Sequence, residues 1–178
     1  TTMYGVTKVA GELLMDYYYD KYQVDVRGVR YPGLISYVTP PTAGTTDYAN
    51  AIFYDAIQHG KYACFLGPDT VLPMMYMPDA LRATVDLLNA DQDKLLHRNA
   101  FNLAAFSFTP AQLAAEIQKH LPNFVMEYEI DPVKQAIADS WPRTIDDSAA
   151  RAEWDWAPKY TFAMMVEDMV QKIGQKFN

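Results

Sequence analysis

Cysteine is nearly missing from this chain: Cys64 is the single one among 178 residues, which excludes an internal disulfide framework and suits a cytoplasmic or organellar protein. Cys64 lies in the strand-like run Tyr62-Ala63-Cys64-Phe65-Leu66 and reads as a small buried hydrophobe rather than a nucleophile. Positive charge is scarce. The net charge is −7, and no Lys/Arg cluster offers the basic stripe that nucleic acid needs. No apolar run approaches the ~20 residues of a membrane span, and no signal-peptide pattern appears. The three histidines, His59, His97 and His120, are scattered, so no metal site is expected. The eight glycines include no G-x-G-x-x-G spacing, although a dinucleotide-binding half opens with a strand, a glycine-rich turn and a helix.

What is present begins at once. Tyr4 and Lys8, in Tyr4-Gly5-Val6-Thr7-Lys8, are four residues apart and share a helix face, so a phenol and an ammonium can act on one small volume. A nearby cation stabilises a phenolate, the form in which tyrosine works as a base. Spacing alone is weak: 13 Tyr and 9 Lys would give roughly 0.7 such pairs by chance. Tyr17 and Lys21 form a second one, about 220° further round the helix, and read as an ordinary surface or packing pair. The first pair differs in its small neighbours, Gly5, Thr7, Ala10 and Gly11, which let a flat ligand or another backbone come close.

Hydrophobic period and punctuation predict alternating helices and strands, hence an α/β fold with parallel strands. A helix is expected over 4–21, with Ala10, Leu13, Leu14, Tyr17 and Tyr18 as its apolar side, followed by a strand over 24–31. Residues 40–44 read as a loop, and Thr45 or Thr46 caps a helix from Asp47 to His59 that Gly60 ends. Strands are expected at 62–66 and 70–77 about the turn Gly67-Pro68-Asp69, then a helix at 79–90 with Asp79 in its first turn. A strand near 99–104 precedes the capping box Thr109-Pro110-Ala111-Gln112 and a helix to Lys119. A strand over 124–130, a short helix from Asp131-Pro132, a helix near 146–154 and a final amphipathic helix complete the series. That last helix carries Phe162, Val166, Met169, Val170, Ile173 and Phe177 on one side.

The runs "YGVTK" and "RYPGLIS", separated by a helix-length segment, resemble the catalytic helix and following strand of the extended short-chain dehydrogenase/reductases. "GTTDYA", "LPMMYM", "SFTPAQL", "DPVKQAIADSWP" and "DDSAARAEWDW" resemble the NAD-dependent L-threonine 3-dehydrogenases of that superfamily, and the likeness covers nearly the whole chain. In that family the pyrophosphate loop lies upstream of the motif tyrosine. The resemblance therefore implies the C-terminal half of a Rossmann-type doubly wound sheet (residues 1–36 and 74–104) with a smaller α/β substrate-binding domain (37–73 and 105–178). The start at Thr1-Thr2-Met3 looks like a cut end, and these residues alone are expected to be inert.

By the same resemblance Tyr4 takes a proton from the C3 hydroxyl of L-threonine, Lys8 holds the nicotinamide ribose of NAD, and Tyr31, Pro32, Gly33 and Leu34 pass beside the nicotinamide. Taken alone, Pro32-Gly33 reads first as a plain turn. Gly44, Thr45 and Thr46 precede a helix whose free N–H groups suit a carboxylate, with Thr46 the first choice for a direct contact and an N-cap role its alternative. Trp141 is a candidate pocket wall, or else a core or interface tryptophan. The Met74-Met75-Tyr76-Met77 run is a pocket wall by resemblance, but reads from its residues as a buried strand. Tyr17-Tyr18-Tyr19 exceed what one core face needs, and the resemblance implies a homodimer through this helix.

Two rival functions share these features. A nucleotide-sugar epimerase or dehydratase would keep Tyr4, Lys8 and the fold, but arginine normally grips its diphosphate, and none of the six arginines lies between Ser36 and Leu81. A non-catalytic binding module is the other, and the retained Tyr4, Lys8 and Gly-Thr-Thr run count against it.

Overall fold

The computed structural model describes residues 2–42 and 44–177; Thr1, Asn178 and Ala43 of the expected 40–44 loop lie outside the described residues. Helix α1 (Met3–Tyr22) starts where Thr2 accepts the Gly5 N–H at 3.1 Å and stops at Gln23, which adopts a left-handed φ of 54°. Strand β1 (Val29–Arg30) and strand β2 (Gly33–Ile35) are separated by Tyr31-Pro32, since proline has no N–H for a ladder. A 3-10 turn at Thr45–Asp47 enters α2 (Tyr48–His59), which Gly60 closes at φ 69°. Then come β3 (Lys61–Cys64), β4 (Leu72–Tyr76) and α3 (Met77–Asn89). Strands β5 (Phe101–Asn102) and β6 (Phe106–Phe108) precede α4 (Pro110–Gln118). The rest is β7 (Val125–Tyr128), α5 (Pro132–Asp139), α6 (Ser148–Trp154) and α7 (Phe162–Phe177).

Three pairings are parallel: β1 with β5, β2 with β4 and β3 with β7; β6 lies antiparallel on β4. The fold is α/β, as the alternation predicts. Strand β4 joins two cores because successive side chains leave opposite faces. Met74 and Tyr76 enter the core built by α2, α4 and α7, whereas Met75 enters the one built by α3, β5 and α6, where Phe101 meets Trp154 edge to face at 5.9 Å. Every residue of β4 is therefore buried, and the methionine run is a core strand. Asp79 does more than meet the α3 dipole. Its carboxylate, 1% exposed, accepts the backbone N–H groups of Lys159 and Tyr160 and pairs with Arg82 at 2.9 Å, fastening α3 to the segment before α7.

Several expectations need correction. The strand expected over 24–31 shrinks to two residues, because Val26 N–H folds back on Val24 O and Arg27 turns away to cap α3 at Leu87 O and Ala90 O (2.6 and 2.7 Å). The stretch 99–104 likewise keeps only two strand residues, and β6 is a strand the pattern did not predict. Strands β3 and β4 do not form a hairpin about Gly67-Pro68-Asp69; β3 pairs with β7 instead. Helix α3 begins at Met77, two residues early, because Pro78 fits a first turn. No residue of α1 is buried, although Leu13, Leu14, Tyr17 and Tyr18 form its apolar side. The capping box is as expected: Thr109 Oγ1 accepts from Gln112 N at 3.1 Å, and Gln112 Oε1 accepts from Thr109 N at 2.9 Å. In α7, Val166, Met169 and Ile173 are buried while Phe177 is exposed.

Candidate active site

Helix α1 carries Tyr4 and Lys8 on one face, and the Lys8 ammonium lies over the Tyr4 ring, 5.2 Å from its centroid. Both line a cleft of about 720 Å³ between α1 and the start of β1, with Gly11, Gly28 and Tyr31 among its walls. The pair Tyr17 and Lys21 is bonded directly, Nζ to hydroxyl at 2.7 Å, but does not line the cleft. Position relative to β1 separates the pairs, not their spacing. What aims Tyr4 is the docking of α1: Glu12 forms a bidentate pair with Arg30 of β1 (2.6 and 2.5 Å), Asn99 bonds Asp16, and the Arg98 guanidinium stands 4.4 Å from the Tyr19 ring centroid. The hydrogen bond from Arg30 holds the Glu12 carboxyl below its ordinary range. Sequence reading missed Glu12 and Arg30. The seventeen residues between them hide the pairing until β1 is placed beside α1.

A second cavity of about 370 Å³ adjoins the first, with Tyr31 lining both. Its walls bring together Tyr31, Pro32, Gly33, Leu34, Thr46 and Trp141, six of the sequence-derived candidates, with Pro73, Pro142 and Ile145. Gly33 is glycine for a steric reason. A Cβ there would sit inside contact distance of Met74 Sδ and 2.9 Å from Thr46 Cγ2. Asn50 sets that approach by accepting the Ser36 N–H at 2.8 Å and donating to Leu34 O at 3.3 Å, which fastens α2 to β2 and carries Thr46 to the cavity. The Tyr31 hydroxyl is directed to α3, bonding the Thr84 hydroxyl, so it is engaged within the fold while Tyr31 lines both cavities.

Gly44 and Thr45 stand outside this lining. The Gly44 N–H donates to the Asp47 carboxylate at 3.0 Å, as does Thr42 N at 2.8 Å, so these two loop N–H groups serve the turn itself. Asp47 was not among the sequence candidates; an acid directly after Gly-Thr-Thr at a helix start is the signal that finds it. Tyr4 and Lys8 line the cleft and are not among the walls of the Thr46 and Trp141 cavity beside it. Among the described residues, no group of three or more His, Cys, Asp or Glu is placed to hold a metal, and no helix is long and apolar enough to cross a membrane.

This arrangement has known counterparts, although no family model matches the chain. It is 56% identical over 176 residues to a protein of Staphylococcus haemolyticus (strain JCSC1435) named an uncharacterized epimerase/dehydratase, covering 99% of this chain and 55% of that one. An L-threonine dehydrogenase structure from Clostridium difficile is 55% identical with a TM-score of 0.96, over 99% of this chain and 55% of that chain. The L-threonine dehydrogenase from Phytophthora infestans is also 55% identical, with a TM-score of 0.95 and coverage of 99% and 57%. A UDP-glucuronic acid 4-epimerase from Bacillus cereus, solved with NAD, shares 17% identity at a TM-score of 0.77, a likeness of fold alone. The chain spans about half the length of the curated relatives it matches. By sequence and by fold together, it belongs to the epimerase/dehydratase superfamily of extended short-chain dehydrogenase/reductases, and its fold matches the C-terminal portion of the L-threonine dehydrogenase structures.

Proposed function

We propose that, within a longer subunit, this chain supplies the proton-transfer and substrate-binding groups for NAD-dependent oxidation of L-threonine at C3 to 2-amino-3-ketobutyrate. The observation that carries the reading is the pair of adjoining cavities: one bears Tyr4 and Lys8, the other Thr46 and Trp141, and Tyr31 is their common wall. An ammonium and a phenol beside an open wall at Gly11 fit the hydroxyl-bearing ribose of a nicotinamide nucleotide. When bound, NAD would accept the hydride that leaves C3. Tyr4 accepts the hydroxyl proton, so the C3–H and O–H bonds are exchanged for a carbonyl. Lys8 keeps positive charge against the Tyr4 ring and would hold the ribose hydroxyls. Tyr31 to Leu34 would stand beside the nicotinamide, Thr46 would donate to the substrate carboxylate, and Trp141 would close the apolar side. Gly44 and Thr45 support Thr46 through the turn that Asp47 organises.

The cavity around Thr46 and Trp141 has no arginine or lysine in its lining, which suits a small zwitterion better than a sugar diphosphate. We further propose a homodimer through α1, whose exposed apolar side offers the contact. The decisive experiment assays the subunit, with its nucleotide-binding half, against NAD and L-threonine beside UDP-sugars. Turnover of L-threonine is expected, and Tyr4→Phe should lower it by roughly 10²–10⁴-fold with little change in substrate affinity. Turnover of a UDP-sugar instead would replace this reading with the epimerase one.

A further inference from the structure

We propose that Gln135 is a positioning residue for the substrate pocket, its side-chain amide setting where the Trp141 wall stands; this rests on the reading of Trp141 given above. The segment from Ser140 to Ile145 has no regular secondary structure, and Trp141 is tied to the last turn of α5 by its backbone N–H, which donates to Ala138 O at 3.1 Å. Where α5 goes, the indole goes. Gln135, in the middle of α5, reaches the turn that leads into β4: its Oε1 accepts the Gly67 N–H at 2.8 Å and its Nε2 donates to Thr70 Oγ1 at 3.0 Å. The same Nε2 donates to Asp139 Oδ1 at 2.7 Å, two residues before Trp141. Three residues beyond the buried Thr70, Pro73 forms part of the cavity lining shared with Trp141. One amide thus bridges the strand that carries one wall and the helix that carries the other, and it uses both donor and acceptor to do so. A carboxylate in its place keeps the shape and the Gly67 bond and can accept from the Thr70 hydroxyl, but it loses the amide donor and faces Asp139 with like charge.

Steady-state kinetics of Gln135→Glu in the subunit with its nucleotide-binding half test this. KM for L-threonine should rise about tenfold with kcat within about twofold, the mark of lost ground-state positioning. In a Trp141→Ala background the same change should have little further effect, because no wall remains to be placed. An unchanged KM, or an undiminished penalty without the indole, would overturn the proposal. Thr70→Val, which removes one hydroxyl, carries the same test should Gln135→Glu not fold. A readout without substrate comes from acrylamide quenching, since Trp154 and Trp156 are buried and Trp141 is 40% exposed. The signal lost in Trp141→Phe belongs to Trp141, and its quenching constant should change in Gln135→Glu. A parent subunit that ignores L-threonine while this quenching shift persists would refute the substrate and leave the latch standing; quenching identical to the parent would refute the latch.

Discussion

At Gly33 the backbone of β2 passes so close to Met74 and Thr46 that a single added methyl has nowhere to go. Met74 is fully buried and must repack against its neighbours to make room, so Gly33→Ala should cost about 1–3 kcal/mol, the usual range for overpacking. Thr46 would be pushed from the cavity as well. A lowered denaturation midpoint together with a raised KM is the expected outcome, and a variant of parental stability would show that this approach is not close-packed in solution. Cys64 illustrates the opposite case, a reactive atom made inert by its site. It is fully buried, and burial pushes its thiol up to about 11, outweighing the Leu66 N–H that favours the thiolate. At pH 8 iodoacetamide should modify the folded chain at least roughly 100-fold more slowly than the urea-unfolded chain. Equal rates would mean that β3 opens as fast as reagent arrives. Both residues were visible in the sequence, Cys64 through its apolar run and Gly33 through the Pro-Gly pair, but the pressure of Met74 on Gly33 was not. Forty-one positions separate them, and only the parallel pairing of β2 with β4 sets them opposite.

Helix α1 carries the candidate catalytic pair without burying any residue of its own, so a few polar contacts hold it to β1. The strongest is Glu12 with Arg30, and its pH dependence has a definite sign. The folded carboxyl titrates below its ordinary value of 4.5, chiefly through the Arg30 hydrogen bond. Its contribution is therefore complete above that value and is lost as pH falls through the lowered one. Hydrogen exchange of α1 amides should quicken as pH is lowered from 6 to 3, beyond the change in intrinsic exchange rate. Glu12→Gln should show faster α1 opening already at pH 6 and a flatter dependence. An unchanged profile in that variant would assign the docking to Asn99 and Arg98 instead. Helices were legible because their signals are local: Thr109 with Gln112, Gly60 after His59 and Pro132 after Asp131 each act within one turn. Strand lengths were not, since β1 and β5 are two residues long by virtue of what Arg27 and their partners do, not through any change in hydrophobic period.

For the whole molecule, the exposed apolar side of α1 is the feature that asks for a partner. Leu13 and Leu14 are more than half exposed beside Tyr17 and Tyr18, whose rings meet edge to face at 5.8 Å. If two copies meet there, a charge in the contact costs far more than on a free surface. Leu13→Glu should convert the subunit to a monomer in sedimentation equilibrium at micromolar concentration while leaving the circular dichroism of the fold intact. A parent that already sediments as one subunit would remove the dimer from the proposal.

Periodicity, caps and short motifs act over a few residues, and they alone determined that this is an α/β chain, where its helices lie, and that Tyr4 and Lys8 share a face. Which of two equivalent Tyr-Lys pairs borders a cleft, which strand meets which, and how Thr46 and Trp141, 95 positions apart, come to line one cavity were decided only by tertiary structure. The physical reason is that an apolar stripe has the same pattern whether it faces a core or solvent. Strand pairing and side-chain bridges such as Glu12 to Arg30 and Gln135 to Thr70 exist only once distant segments have met.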